Sequence, residues 1–257
     1  MFYAGWSGDK ELLEIFIRHG EDITVQTSDG CTLLCLAVAN MHTEVAEELL
    51  LSFINPESYV SVINPDGNSP LYMVAANADT HMIRLLAASG ADVALKNKNG
   101  TQAIHWAAAC NADLGTIKIL QEVGADINLK DRFGRTVLNL AAQQDKVATL
   151  KYLKDMGLDV RAKDRDGITP LHLAAQTGVE IVKWLKEAGA DVNAINIEGD
   201  RVIHWAAWWG QIGVVQYLLN NAGENVSVHG MALCCVEWSD RSGQSLEGMG
   251  CRYLRQV

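Results

Sequence analysis

Several features that define other protein classes are scarce or missing in this chain of 257 residues. Proline occurs 4 times and glycine 22 times, too rarely for a low-complexity chain. No apolar run reaches the roughly 18 residues of a membrane-spanning helix, so we expect no membrane insertion. The early charges at Asp9, Lys10 and Glu11 do not fit a signal peptide. The sequence therefore predicts a soluble, helix-rich protein.

Cysteine is also scarce. The 6 cysteines are spaced too irregularly for a disulfide framework, which indicates a reducing, intracellular compartment. We expect the cytoplasm, and the nucleus is also compatible. Cys31 and Cys35 lack two further nearby ligands for zinc, and we expect Cys35 to be a small buried thiol. A redox or metal role is open for the last three cysteines, which are Cys234, Cys235 and Cys251.

Basic residues are outnumbered. Lys and Arg total 21 against 31 for Asp and Glu, which gives a net charge of −10. Because an acidic surface repels phosphate backbones, this balance argues against nucleic acid as a partner.

A recurring segment is the strongest signal in the chain. Its sharpest copy is DRDGITPLHLAAQTG, at 164–178. Clear echoes lie at 97–109, 131–143 and 196–210, and weaker copies at 28–39 and 65–76. The turn glycines of these copies are Gly30, Gly67, Gly100, Gly134, Gly167 and Gly199, and successive ones lie 37, 33, 34, 33 and 32 residues apart.

This pattern resembles the ankyrin repeat, whose period is 33 and whose motif is T-P-L-H-x-A. The motif is most complete from Thr169 to Ala174. The resemblance implies an all-α helical repeat solenoid with short β-hairpin fingers and about seven repeats over residues 1–227. The first repeat is expected to be truncated, either because the chain was cut from a longer protein or because that repeat is an atypical cap. Residues 228–257 are then a degenerate cap repeat or a flexible tail.

The local structure of one unit also follows from its residues. Gly167 permits a tight turn, Thr169 caps the next helix, and Pro170 fits the first turn of that helix. A second helix from about Val179 to Ala188 ends at Gly189. One unit cannot bury its own apolar face, so stability requires stacking. By this pattern we expect first helices near 33–39, 70–77, 103–109, 137–143, 170–177 and 203–209.

No catalytic or metal site is predicted. The motif histidines of neighbouring repeats lie too far apart to share a zinc ion, since packed helices are roughly 10 Å apart. We interpret them as buried side chains that bind the turn backbone; they are His105, His172 and His204. Nucleophile and phosphate-loop motifs are missing. We therefore expect no enzyme activity, no cofactor and no metal.

The candidate binding residues are aromatic and basic. Trp208 and Trp209 align with Gln176 and Thr177, and Trp6 also aligns with Gln176. The resemblance places these positions on a concave recognition surface, although the C-terminal tail could instead fold over the tryptophan pair. Trp106 and Trp205 align with Leu173 and are expected to pack internally. The fingers add contacts, unless their tips are simply solvated: Arg132, Phe133, Arg135, Arg165, Ile168, Ile197 and Asp200.

These residues favour a protein–protein interaction module or scaffold, without catalysis, that binds an acidic or mixed segment of another protein on its concave surface. We expect the array to be monomeric. The alternative is a regulatory or targeting ankyrin module of a larger enzyme, channel or secreted effector. Two segments, ending at Asn128 and Asn193, also resemble asparagine hydroxylation sites of ankyrin proteins, and the same asparagines have a role in the turn.

Overall fold

The structure is a computed structural model that describes residues 1–52, 57–110 and 113–221. The expected end of the array at residue 227, the tail from 228 to 257 and the last three cysteines lie outside the described residues. The chain divides into two compact units, Met1–Arg132 and Phe133–Val257.

The first unit contains four helix pairs and one additional short helix. We call the first helix of each pair the inner helix and the second the outer helix. The pairs are α1 (Phe2–Ser7) with α2 (Lys10–Arg18), α3 (Leu33–Ala39) with α4 (Thr43–Ser52), α6 (Pro70–Asn77) with α7 (Thr80–Ala88), and α8 (Ala103–Ala109) with α9 (Leu114–Glu122); the short helix α5 (Glu57–Val60) follows α4.

The second unit continues with three pairs in its described part, which makes seven repeats in all. These are α10 (Val137–Ala142) with α11 (Val147–Asp155), α12 (Pro170–Ala174) with α13 (Val179–Glu187), and α14 (Val202–Trp208) with α15 (Ile212–Asn221). The all-α repeat array expected from the sequence is confirmed, and the first three expected inner helices have the expected bounds.

Small and branched apolar side chains explain why the inner helices pack closely. Five of the seven residues of α3 are buried, and every residue of α10 is buried. The outer helices bury one side only; in α13 the buried residues are Ile181, Val182 and Leu185, at helical spacing. Each helix pair thus buries its apolar face against neighbouring pairs of the same unit, as expected for a stacked repeat.

Several inner helices begin at a side-chain cap, and the cap that the sequence predicted, Thr169, is one of them. The Thr169 hydroxyl accepts a hydrogen bond from the backbone N–H of His172, and Pro170 occupies the first turn of α12. Thr32 and Ser69 cap α3 and α6 in the same way. These side chains satisfy backbone donors that the first turn of a helix leaves without a partner.

We call the turn that precedes each inner helix the finger. In the described residues, the fingers lack the regular strands of a β-hairpin. In the described ranges no strand is formed, and only two isolated antiparallel bridges occur, Gln26 with Thr32 and Ile195 with Arg201. The finger of the sixth repeat closes through two backbone bonds, from Asp164 N–H to Ile168 C=O at 3.1 Å and from Gly167 N–H to Asp164 C=O at 3.2 Å. The Asp164 carboxylate also accepts the N–H groups of Asp166 and Ile168.

Neighbouring fingers touch through their backbones. Arg165 N–H donates to Phe133 C=O at 2.9 Å, and Ile197 N–H donates to Asp166 C=O at 2.9 Å. In the first unit, Lys98 N–H donates to Asp66 C=O at 3.1 Å. Pro65 occupies the same position of its own finger, and because proline has no N–H it cannot make this bond.

The turn glycines meet two separate demands. Gly167 has φ +76°, and a Cβ there would lie 3.1 Å from Asn196 Cα of the next finger. Gly100 and Gly134 approach the following finger as closely. Gly199 has φ +85°, but no atom of the described residues lies within 4 Å of its would-be Cβ. Left-handed backbone therefore explains all four glycines, and close finger contact explains three of them.

Candidate partner-binding surface

Aromatic side chains concentrate at three inner-helix positions, which we call the face positions. In the sixth repeat they are held by Leu173 of α12 and by Gln176 and Thr177, which follow the end of that helix. In a longer inner helix, their spacing of three and four residues places them on one side. Across the chain, five of the 7 tryptophans stand at equivalent positions, together with one tyrosine. The aromatic residues at the face positions are Tyr3, Trp6, Trp106, Trp205, Trp208 and Trp209.

In the second unit, α14 presents two of these tryptophans to solvent. Trp208 is 51% exposed and Trp209 is 56% exposed. The buried residues of α14 are Val202, Ile203 and Ala206, so the packing of this helix uses other positions. The two exposed indoles thus form a large apolar area on the side of the helix that its own core does not require.

In the first unit, α1 shows the same feature on a smaller scale. Trp6 is 58% exposed and Tyr3 is 65% exposed, and their ring centroids lie 6.1 Å apart. The helix buries Ala4 and Gly5 instead. The sequence pattern indicated Trp6 but not Tyr3, although Tyr3 aligns with Leu173.

Trp106 and Trp205 pack against the preceding repeat, in line with the expectation of internal packing. The Trp106 ring stacks on Tyr72 with centroids 5.2 Å apart, and the Trp205 ring meets the edge of His172 at 5.8 Å. Trp106 nevertheless keeps 37% of its surface exposed. Residues at this face position therefore contribute both to the stacking of repeats and to the surface.

The finger residues named from the sequence fall into two groups. Phe133 is 40% exposed and Ile197 is 71% exposed, while Arg132 and Arg165 are also exposed. Arg135 is half-buried, and its guanidinium carbon lies 4.8 Å from the centre of the Phe133 ring. This distance permits a cation–π contact that orders both side chains.

Ile168 and Asp200 belong to the second group, since they close their own fingers. Ile168 is half-buried and exchanges backbone contacts with Asp164. Asp200 N–H donates to the Asn196 side chain at 2.8 Å, and its carbonyl accepts a bond from the His172 ring at 3.3 Å. Both residues form hydrogen bonds that hold the turn together, and their contact with a partner stays a prediction.

The motif histidines bond to the backbone of their own helix start and of the next finger. Thr169 N–H donates to His172 Nδ1 at 3.2 Å, so Nε2 carries the ring proton and donates to Asp200 C=O. His105 is equivalent: its Nδ1 accepts from Gln102 N–H, and its Nε2 lies 3.0 Å from Leu129 C=O. Each neutral ring thereby caps its own helix and holds the next finger.

Burial sets the protonation of these rings. Burial lowers the pKa of His172 to about 4, because the charged form would lose its hydration inside the stack. Burial also lowers the pKa of His204, against the opposing effect of Asp200, whose carboxylate lies 3.7 Å from the ring. Both rings are consequently neutral near pH 7, and this neutral form is the one that accepts the backbone N–H bond.

In the described residues, no group of three or more His, Cys, Asp or Glu side chains is placed to hold a metal ion. Cys35 is buried, and burial raises the pKa of its thiol. In the same part of the chain, no helix has the length and apolar character to cross a membrane. Asn128 is exposed and Asn193 is half-buried, each following an Asp whose carboxylate accepts its N–H.

The sequence matches the family described as ankyrin repeats (3 copies) in overlapping windows at residues 1–97, 52–131, 73–164, 104–196 and 150–229. The chain belongs to the ankyrin-repeat family. Ankyrin repeats are protein-interaction modules and are typically non-catalytic, so the chain carries a protein-interaction module.

Individual relatives match over one part of the chain. The Notch-regulated ankyrin repeat-containing protein of Xenopus laevis is 33% identical over 72 residues, which are 28% of this chain and 63% of that protein. The protein of the same name from Homo sapiens is 32% identical over 72 residues, with the same shares of the two chains. The A form from Danio rerio is 32% identical over 72 residues, 28% of this chain and 64% of its own. The chain spans less than two thirds of the length of these relatives.

Proposed function

We propose that this ankyrin-repeat chain binds a partner protein on the face formed by its inner helices and fingers, the surface that is concave in this family, and that it does so without catalysis. The observation that carries the proposal is the concentration of tryptophan at the face positions, with Trp6, Trp208 and Trp209 each more than half exposed. Tryptophan is enriched among residues that dominate binding energy at protein interfaces.

In the second unit, the proposed anchor is the pair Trp208 and Trp209. Phe133, Arg135 and Arg165 supply further contacts from the fingers, and Ile197 adds an exposed apolar side chain. Arginine and aromatic residues are both enriched at protein interfaces, where their large side chains supply contact area. The first unit contributes Trp6 and Arg132 as separate contacts. We also retain an intracellular location, in the cytoplasm or the nucleus, as part of the proposal.

A binding measurement with the variant Trp208→Ala/Trp209→Ala tests this function. The partner is first identified by affinity capture with the wild-type chain, and its Kd is then measured by calorimetry for both proteins. We expect the variant to bind at least about 30-fold more weakly, corresponding to about 2 kcal/mol. Its circular dichroism and thermal unfolding should stay near those of the wild type, because both indoles are largely exposed. Unchanged affinity would overturn the proposal, and so would an unfolded variant.

A further inference from the structure

Two neighbouring fingers of the first unit carry basic residues at matching positions. In the finger of the fourth repeat, Lys96 and Lys98 flank Asn97; in the next finger, Lys130 and Arg132 flank Asp131. All four cations are exposed, whereas Asp131 is buried. We call these four residues the basic finger strip.

The backbone holds these fingers side by side. Arg132 N–H donates to Asn99 C=O at 3.2 Å, and a Cβ on Gly100 would lie 3.1 Å from Arg132 N. The Asn97 side chain fixes its own turn by accepting N–H bonds from Asn99 and Thr101. The four cations therefore extend from a defined backbone, and little conformational entropy of the loop is lost when they bind a ligand.

The strip differs from its surroundings. Acidic residues greatly outnumber basic ones in residues 1–132. The fingers of the second and third repeats have uncharged residues at the equivalent positions, Gln26 with Ser28 and Ile63 with Pro65.

An aromatic surface adjoins the strip. The Asn97 amide donates to the Tyr72 hydroxyl at 3.1 Å, and the Tyr72 ring stacks on Trp106. Since Trp106 is 37% exposed, the finger that carries Lys96 and Lys98 is joined through Asn97 and Tyr72 to an accessible indole. A ligand that touches both features needs negative charge and an apolar group.

We propose that the basic finger strip binds an acidic, extended segment of a partner protein, with one apolar side chain of that segment lying against Trp106. The inference rests on the proposed function, because it takes a protein partner as given, and it adds the chemistry that this partner presents. A short acidic segment needs only the local positive potential of the strip. A nucleic-acid backbone would also meet the acidic remainder of the unit, which repels it.

The test uses a fluorescein-labelled synthetic peptide of alternating Glu and Asp with one central Phe, and fluorescence anisotropy of the full chain. We expect binding that weakens as salt is added, because exposed charges are screened. Neutralising the strip with glutamine should weaken binding roughly tenfold or more and flatten the salt dependence. The strip variant is Lys96→Gln/Lys98→Gln/Lys130→Gln/Arg132→Gln.

A second variant with the same change in net charge controls for long-range electrostatics. It neutralises lysines on or beside outer helices and should keep the wild-type affinity and salt dependence; its substitutions are Lys118→Gln, Lys146→Gln, Lys151→Gln and Lys154→Gln. Trp106→Leu, which introduces the residue that the sixth repeat has at this position, tests the apolar contact. It should weaken binding of the Phe-containing peptide but not of a peptide with Gly in place of Phe.

Three results would overturn the inference: equal losses in the two charge variants, no binding of the acidic peptide at low salt, or tighter binding of a labelled oligouridylate than of the peptide. The anisotropy test does not involve Trp208 or Trp209. If the acidic peptide does not bind, the proposed function is therefore not contradicted. If the tryptophan variant keeps its affinity for the partner, the proposed role of the basic finger strip is not contradicted.

Discussion

At the scale of single residues, the motif histidine is a helix cap and a link between repeats. Its ring accepts an N–H bond from its own cap residue and donates to the next finger, as His172 does with Thr169 and Asp200. In the fifth repeat Asn139 stands at the same position. Its amide oxygen accepts Thr136 N–H at 3.1 Å, and its amide nitrogen donates to Ala162 C=O at 3.4 Å. Neutral His and Asn thus supply the same acceptor and donor at this position, whereas the second and third repeats have Cys35 and Tyr72 there.

Because His and Asn can fill the same role here, the dependence of stability on pH can be predicted for His172→Asn. The pKa of His172 is about 4 in the folded chain, below its value of about 6.5 in the unfolded chain, so the unfolded state binds more protons between these values. His172 should therefore cost the fold no stability above about pH 6.5 and about 3 kcal/mol by pH 4. In His172→Asn, the loss of unfolding free energy between pH 7 and pH 4 should be smaller by this amount, as measured by urea denaturation. Equal losses in the two proteins would contradict the assigned role.

A tyrosine that the sequence did not single out also bridges two repeats. The Tyr59 hydroxyl accepts Leu34 N–H at 3.2 Å and donates to Ile23 C=O at 3.0 Å. Leu34 lies in the first turn of α3, where no backbone acceptor is available. Burial raises the pKa of Tyr59 to about 12, so the hydroxyl stays protonated and can donate.

Removing this hydroxyl should destabilise the chain. Tyr59→Phe leaves a buried N–H and a part-buried C=O without that partner, and we expect a loss of about 1–3 kcal/mol in unfolding free energy. Urea denaturation with Tyr3→Phe as the control measures the effect, since Tyr3 is 65% exposed. Similar small losses in the two variants would show that the hydroxyl does not cap α3.

At the scale of elements, the fingers form a backbone ladder that the turn glycines make possible. Gly167 and Gly199 both have left-handed backbone. In the described part of the chain, Gly167 also lies against a following finger and Gly199 does not. Their equivalence in the sequence did not reveal this difference, which depends on what the next finger places nearby.

The two glycines therefore form a matched pair for mutation. Gly199→Ala should cost about 1 kcal/mol, from left-handed strain alone. Gly167→Ala should cost at least about 1 kcal/mol more, because its Cβ must displace the Asn196 backbone. Chemical denaturation of both variants measures the difference. Equal costs would show that finger contact contributes nothing at Gly167.

Some boundaries of the inner helices could be predicted from the sequence, and others could not. The expected inner helices at 33–39, 70–77 and 103–109 match the structure, because caps and apolar spacing determine both ends. The helix expected at 170–177 ends at Ala174, where Gln176 and Thr177 bond to carbonyls three residues back in a tighter turn. The second repeat is longer than its neighbours, and the described end of the segment after α4 forms α5 and buries Tyr59, whose partners lie 25 and 36 residues away in sequence.

At the scale of the whole molecule, the repeat separates the positions that stabilise the stack from the positions that vary. The buried positions of each helix pair make the stack, whereas the face positions and finger tips vary from repeat to repeat without loss of the fold. Alignment of the copies was enough to select Trp6, Trp208 and Trp209, since a residue that the repeat does not need stands out in register. It missed Tyr3 and the exposed part of Trp106, because aromatic residues at the position of Leu173 also fit an internal packing role.

The affinity of the identified partner for tryptophan variants tests the central claim most directly. Trp208→Ala/Trp209→Ala removes the proposed anchor, and Trp184→Ala removes an indole from the outer helix α13. With both variants folded by circular dichroism, the account predicts a Kd at least about 30-fold higher for the first and close to the wild-type value for the second. A folded double variant that binds as tightly as the wild type, or an equal loss in Trp184→Ala, would contradict binding through the inner-helix face.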